Sequence, residues 1–301
     1  VKQTVMQALH FENKVYENEF ESKMIRQTTT APDGSYIIFN ANGYLYFKSM
    51  PNGQPPRLTN SDDFEFDPSI SPDGKFVVYI SWNDNDMGAV CQYDLQSKTT
   101  TKITTEKGVY QSPSYSKDGQ KILYQKTNGN SILGLSNSKN TGIYYFEIFG
   151  GKPKLIREDG FNPEFNADGK RIYFMTYEGE NKVLKSVGLN NENELTHFSS
   201  KYTTEMFVSP DEKWVAVEEL FHVYLVPFVK TGKAVNISGD LKDFPIYKLT
   251  KDGGDYMHWS ADSKKLYWTI GPEYFSREVK DCFKWVPGAP DSLPNMNMTG
   301  I

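Results

Sequence analysis

Residues 67–80 read Asp67-Pro68-Ser69-Ile70-Ser71-Pro72-Asp73-Gly74-Lys75-Phe76-Val77-Val78-Tyr79-Ile80, and this stretch decides the fold. Pro72 presets φ at about −65° for the first central position of a turn, Asp73 caps local backbone amides, and Gly74 supplies a positive φ. The run Phe76 to Ile80 behind it is aromatic and β-branched, the kind of side chain that packs well on a pleated surface. A tight polar turn between two such runs is a β-hairpin.

The same turn recurs along the chain. Ala31-Pro32-Asp33-Gly34, Ser116-Lys117-Asp118-Gly119 and Asn166-Ala167-Asp168-Gly169 are close copies; Ser209-Pro210-Asp211-Glu212-Lys213 and Ser260-Ala261-Asp262-Ser263-Lys264 are degenerate ones. The steps between successive turn Asp residues are 40, 45, 50, 43 and 51. Each turn leads into an apolar run: Tyr36 to Phe39, Phe76 to Ile80, Ile122 to Tyr124, Ile172 to Met175, Trp214 to Val217 and Leu266 to Trp268. A second pair of short strands completes each repeat, Tyr44 to Phe47 with Pro56 to Thr59 in the first and Ala89 to Leu95 with Thr101 to Thr104 in the second. Four strands in about 45 residues is the size of one propeller blade. Six turns predict an all-β, six-bladed β-propeller of four-stranded antiparallel blades. Near-constant spacing weighs against an open β-sandwich with recurring hairpins, and a lone sheet must bury both faces on neighbours.

The predicted organisation is a lead-in over residues 1–20, a propeller over 21–286 and a linker or tail over 287–301. In the lead-in, Val1, Val5, Ala8, Leu9 and Val15 have loosely helical spacing, so this segment is a short helix or the strand that closes the ring. The start lacks Met and the apolar centre of a signal peptide, so the chain reads as a processed or excised piece.

Composition limits the chemistry. Aromatic residues make up 14% of the 301, as 19 Tyr, 19 Phe and 5 Trp, which suits strands. Thirty-three basic against 38 acidic residues leave a net charge of −5, which excludes a globally basic nucleic-acid binder. No run approaches the ~18 apolar residues of a membrane span. His10, His197, His222 and His258 share no metal-binding spacing, and Cys91 and Cys282 form no CxxC pair. Two reduced, packed cysteines are the expectation, with a single disulfide left open by counting. There is no GxSxG nucleophile elbow. No catalytic residue, metal ligand or cofactor is assigned to this chain.

At Arg57-Leu58-Thr59-Asn60, followed by Asp67-Pro68-Ser69-Ile70-Ser71-Pro72-Asp73-Gly74, the sequence resembles TolB-like, WD40-like propeller repeats, over roughly residues 25 to 280. The stretches His222 to Phe228 and Asp252 to Phe275 also resemble the last two blades of the propeller that precedes the barrel in large bacterial amidohydrolase-family proteins, and Pro287 to Ile301 looks like the linker before that barrel. The resemblance implies a non-catalytic scaffold or gating domain of a metal-dependent hydrolase, periplasmic or secreted, whose divalent metal sits in barrel residues outside this sequence. Its partner is then its own C-terminal hydrolase domain. The alternative is a stand-alone TolB-like propeller that binds another protein or a peptide at its channel mouth.

Propeller topology places the loop entering each inner strand and the loop joining strands two and three on one face, around the channel mouth. Rigid strands hold such loops in place, so binding sites favour them. Glu65, Tyr110, Asn162, Tyr202, Glu205 and His258 are the candidate ligand- or partner-binding residues, forming a polar ring that gathers a peptide or small polar ligand; the plain alternative is a solvated loop surface. His258, beside Trp259 in an aromatic strand, reads better as a buried histidine bonded to backbone than as a general base. Asp62, Asp63, Glu65 and Asp67 lack the order of a calcium loop. The long Gly-, Asn- and Ser-rich loop from Lys126 to Thr141 is a candidate contact for a partner domain.

Overall fold

Six sheets, antiparallel except at one edge, follow one another along the chain in a computed structural model that describes residues 21–128, 138–242 and 244–282, with Met298–Thr299 as a strand. Blade 1 holds β1 (Arg26–Thr30), β2 (Tyr36–Ala41) and β3 (Tyr44–Ser49). Blade 2 holds β4 (Phe64–Ile70), β5 (Phe76–Asn83), β6 (Met87–Asp94) and β7 (Thr99–Lys102); blade 3 holds β8 (Val109–Tyr115), β9 (Lys121–Thr127), β10 (Gly142–Glu147) and β11 (Lys154–Arg157). Blade 4 holds β12 (Phe161–Phe165), β13 (Arg171–Glu178), β14 (Asn181–Gly188) and β15 (Leu195–Ser200). Blade 5 holds β16 (Thr203–Val208), β17 (Trp214–Glu219) and β18 (His222–Pro227); its long connection lends β19 (Val235–Asn236) to the edge of blade 4 before β20 (Tyr247–Lys248) returns. Blade 6 holds β21 (Asp255–Trp259), β22 (Lys265–Ile270), β23 (Glu273–Glu278) and β24 (Met298–Thr299), so two residues of the stretch read as a tail pair with the last blade. In blade 1 the fourth strand is irregular: Phe47 N–H donates to Pro56 at 3.0 Å and Leu58 N–H to Leu45 at 2.8 Å, with a bridge at Tyr46 and Arg57. The lead-in 1–20 and most of the tail lie outside the described residues.

The repeated turn is a side-chain clamp. The hydroxyls of Ser71, Ser116, Ser209 and Ser260 donate to Asp73, Asp118, Asp211 and Asp262 at 2.6, 2.5, 2.7 and 2.8 Å. The same hydroxyls accept the N–H of Phe76, Lys121, Trp214 and Lys265 at 2.9, 2.9, 3.0 and 2.9 Å. In blade 4 the amide oxygen of Asn166 takes the accepting role for Lys170 and Arg171. Each clamp fixes the register in which the inner strand of a blade meets its second strand.

The second strands are buried on both faces, which is why their sequence is a continuous apolar run rather than an alternation. Val77 and Tyr79 pack toward blade 1 while Val78 and Ile80 pack toward blade 3. Six apolar clusters result, and each occupies one seam between neighbouring blades. The seam that closes the ring packs Ile37, Phe39 and Ala41 of blade 1 against Tyr267 and Tyr274 of blade 6. Ile25 N–H also donates to Gly271 across it at 2.9 Å.

Candidate functional site

The inner strands β1, β4, β8, β12, β16 and β21 surround a central channel of about 450 Å3. Gln27, Asp67, Ser112, Asn162, Glu205 and Tyr256 line it, each six positions before the Asp of its own turn. A β-bulge interrupts every inner strand here, and Gln27, Asp67, Ser112, Asn162 and Tyr256 take left-handed φ values of 50, 47, 49, 49 and 54°. A bulge of this kind re-aims one side chain and breaks the edge. In blade 5 the bulge falls one position earlier, between Thr203 and Glu205.

Inner-strand amides have no further strand to pair with, so neighbouring blades supply partners. Asp67 N–H donates to the Gln27 amide oxygen at 3.2 Å, Gln27 Nε2 donates to the Asp67 carboxylate, and Ser112 N–H donates to Asp67 Oδ2 at 3.0 Å. Val208 N–H donates to Glu164 Oε2 at 3.1 Å, joining blades 4 and 5. These carboxylates line the channel yet are largely enclosed by protein. Burial drives the Glu164 carboxyl up to about 8 despite its amide bond. It drives Glu205 up to about 7, helped by the negative charges of Glu218, Asp67 and Asp255 and opposed by Lys182.

His258 lies one ring further along, four positions before its turn Asp. Its Nδ1–H donates to Tyr256 O at 3.3 Å, leaving Nε2 to accept from the Thr30 hydroxyl at 2.7 Å, and Thr30 also bonds the Tyr274 hydroxyl. The ring stacks on Tyr267 at 5.1 Å. Burial holds the imidazole neutral, with its pKa lowered to about 4. His258 therefore fastens blade 6 to blade 1.

Asn162, Glu205 and His258 thus meet in the channel, while the other three expected residues do not. Glu65 is wholly buried between blades 1 and 2; its carboxylate accepts Leu45 N–H at 3.0 Å and the Thr59 hydroxyl. Tyr110 is 4% exposed, packs edge-on against Tyr124 and donates to Glu106 O at 2.6 Å. Both stand eight positions before the turn Asp, where side chains point into a seam. Tyr202 is exposed on the loop outside the channel. The ring members Gln27, Ser112 and Tyr256 and the carboxylate of Glu164 were missed, although the six- and four-residue offsets from the turn Asp carry the signal.

The loops that lead into the inner strands and the hairpins joining second to third strands form one end of the molecule, here termed the inlet face; the Asp-bearing turns form the other. Of the nine large apolar residues exposed among the described ones, Met24, Phe64, Tyr177, Tyr202, Leu220 and Phe221 lie at the inlet face. The loop Lys126 to Thr141 reaches the same face, but its residues 129–137 lie outside the described ones. Among the described residues no group of three His, Cys, Asp or Glu side chains is placed to hold a metal ion. Cys91 and Cys282 are free and buried, with both thiols pushed up to about 11 by desolvation. No described helix is long and apolar enough to cross a membrane.

No family model matches the chain. Over 91 residues it is 33% identical to the Tol-Pal system protein TolB of Francisella tularensis subsp. mediasiatica and, equally, to that of subsp. holarctica. The repeats are TolB-like. The match covers 30% of this chain and 19% of the curated relatives' length. Solved structures agree at the level of the fold. TolB from Acinetobacter baumannii superposes with a TM-score of 0.59 at 18% identity, over 77% of this chain and 55% of that one. A TolB-type protein from Agrobacterium tumefaciens gives 0.64 at 18% identity, over 84% and 91%. Oligogalacturonate lyase from Vibrio parahaemolyticus gives 0.58 at 10% identity, over 83% and 75%, so a TolB-like propeller scaffold is compatible with very different chemistries.

Proposed function

We propose that this chain is a non-catalytic, TolB-like propeller that binds a protein or peptide segment at its inlet face. The observation that carries the reading is the gathering of Met24, Phe64, Tyr177, Tyr202, Leu220 and Phe221 on that one face. Exposed apolar side chains clustered on one face of a rigid scaffold mark interaction sites. The channel behind them, with Asn162 and Glu205 on its wall, supplies polar groups for a segment that reaches inward. A periplasmic or secreted setting is part of the proposal and rests on the TolB-like sequence.

A photo-crosslinking amino acid placed at Tyr202 tests it against the same probe at Phe149, which is exposed away from the inlet face. In cells expressing the protein, adducts form from Tyr202 and not from Phe149. Equal labelling from both positions overturns the reading.

The second reading makes this propeller the scaffold or gate of a barrel hydrolase of the amidohydrolase type. The sequence from Asp252 to Phe275 favours it. Under that reading the inlet face or the channel rests against the barrel, the divalent metal belongs to the barrel, and the propeller alone hydrolyses no amide or ester. A coding sequence that continues past Ile301 into an HxH-bearing barrel is the expected outcome; its absence removes this second reading and leaves the first.

A further inference from the structure

The inlet face is uneven, and the seam between blades 5 and 6 concentrates three independent features. The hairpin from β17 to β18 turns through Leu220 and Phe221, at φ values of 49 and 67°, with the side chains 60% and 75% exposed. A two-residue turn with both residues left-handed favours Asn-Gly, because a bulky side chain there crowds its own backbone. Leu-Phe is unfavourable in this turn twice over, through strain and through apolar surface left in water. Strain of this kind points to a function held at that place.

Beside the turn is a cavity of about 100 Å3, lined by Trp268, Ile270, Phe275 and the loop Thr250 to Gly253. Gly254 N–H donates to Phe221 O at 2.9 Å and ties the turn to the cavity's rim.

The third feature is charge. Glu205 of β16 stands directly opposite Glu218 of β17 in the sheet register, a like-charge pair that destabilises a hairpin. Asp255 follows Gly254 and adds its charge to both. Among the described residues no hydrogen bond reaches the Glu205 carboxylate. Asp252 and Glu273 line the cavity alongside Lys251. Lys182 gives its ammonium to Thr203 O at 2.6 Å, while Arg26 stands near Tyr256 and Lys248 near His222. Carboxylates outnumber cations around the seam, and the inward-facing Glu205, Glu218 and Asp255 sit closest together.

We propose that this seam docks a partner segment in which a Lys or Arg stands beside a bulky apolar residue. The apolar side chain packs on Leu220 and Phe221 over the Trp268 cavity, and the cation pairs with Glu205, Glu218 and Asp255. Apolar anchors in a desolvated pocket carry most of the affinity of such contacts, while complementary charge selects the partner. The inference rests on the reading of the chain as a peptide-binding propeller and specifies where and what it binds.

The test is a random dodecapeptide display library panned on the whole chain, followed by titration of the enriched peptides against two variants. Leu220→Asn with Phe221→Gly installs the turn's preferred residues, so this double variant folds at least as well as the parent. Glu205→Gln with Asp255→Asn removes charge at nearly constant shape. The expected result is enrichment of sequences carrying Lys or Arg within two positions of Phe, Trp, Leu or Tyr. Their binding weakens about tenfold or more in each variant and weakens further with added salt. The double turn variant meanwhile melts at or above the parent temperature. Enriched peptides that bind parent and variants equally overturn this inference and leave the peptide-binding reading intact. A library from which nothing is enriched overturns both.

Discussion

Single residues in this propeller are chosen for the seams as much as for the turns. Gly34, Gly74, Gly119 and Gly169 supply the left-handed position of the first four turns, at φ 76, 70, 68 and 67°. Glu212 and Ser263 hold the same position in the last two at φ 55 and 61°, at a conformational cost that glycine avoids. Each replacement gives its side chain to a neighbouring blade: Glu212 Oε1 accepts Ala167 N–H at 3.2 Å, and Ser263 Oγ accepts Asp211 N–H at 2.9 Å. Ser263→Ala keeps the strain and loses that bond, so it is expected to cost about 1–2 kcal/mol. Ser263→Gly loses the bond but relieves the strain and costs less. Urea denaturation of both variants checks this ordering; equal losses would mean that the left-handed position carries no strain, and no loss in Ser263→Ala would remove the inter-blade role. The same offset logic explains which candidate residues were legible. Asn162, Glu205 and His258 stand six or four positions before their turn Asp and reach the channel. Glu65 and Tyr110 stand eight before it and are drawn into seams, which loop membership alone does not reveal.

At the scale of elements, the second strand of each blade does most of the packing. Phe174 in β13 is fully buried in the seam between blades 3 and 4 with Leu123, Ile143 and Ile156. The Arg157 guanidinium covers its ring at 3.9 Å. Phe174→Ala is expected to destabilise the protein by about 3–5 kcal/mol, because the seam cannot collapse around so large a void. Chemical denaturation measures it, and a loss under ~1 kcal/mol would mean that the blades slide to refill the seam. These strands were plain in the sequence because burial on both faces produces an unbroken apolar run. The fourth strands were less plain, since β7, β11 and β20 are short and largely polar or exposed; only those of the first two repeats, Pro56 to Thr59 and Thr101 to Thr104, were legible. The pairing of β19 with blade 4 rather than blade 5 has no local signal: two residues cannot specify a parallel edge.

For the molecule as a whole, the channel couples stability to pH. Glu164 and Glu205 keep protons in the folded chain up to about 8 and about 7, whereas the unfolded chain releases them near the ordinary carboxylate value of 4.5. The folded state therefore binds more protons across that window, and stability falls as pH rises through it. His258 acts oppositely, but only between about 4 and 6.5, where the unfolded chain binds the extra proton and stability is lost on acidification. Above pH 6.5 only the carboxyls act. Raising the pH from about 6.5 to about 8.5 is expected to lower stability by about 1–2 kcal/mol, and Glu164→Gln to remove much of that loss. Denaturation curves at the two pH values decide it; an unchanged slope in the variant would show that channel water already solvates the carboxylate.

The sequence by itself determined the blade count, the position of every turn and the two-sided burial of the second strands. These follow from local turn chemistry repeated at near-constant spacing and from apolar runs that must be covered by neighbours. Closing six blades into a ring decided the rest. Only then do residues some 45 positions apart share a channel, do Thr30 and His258 meet across the closing seam, and does Glu205 come to face Glu218 beside a strained Leu-Phe turn. Those contacts depend on bulge geometry and on which face of a radial sheet each side chain takes, and neither is written in the composition of any single stretch.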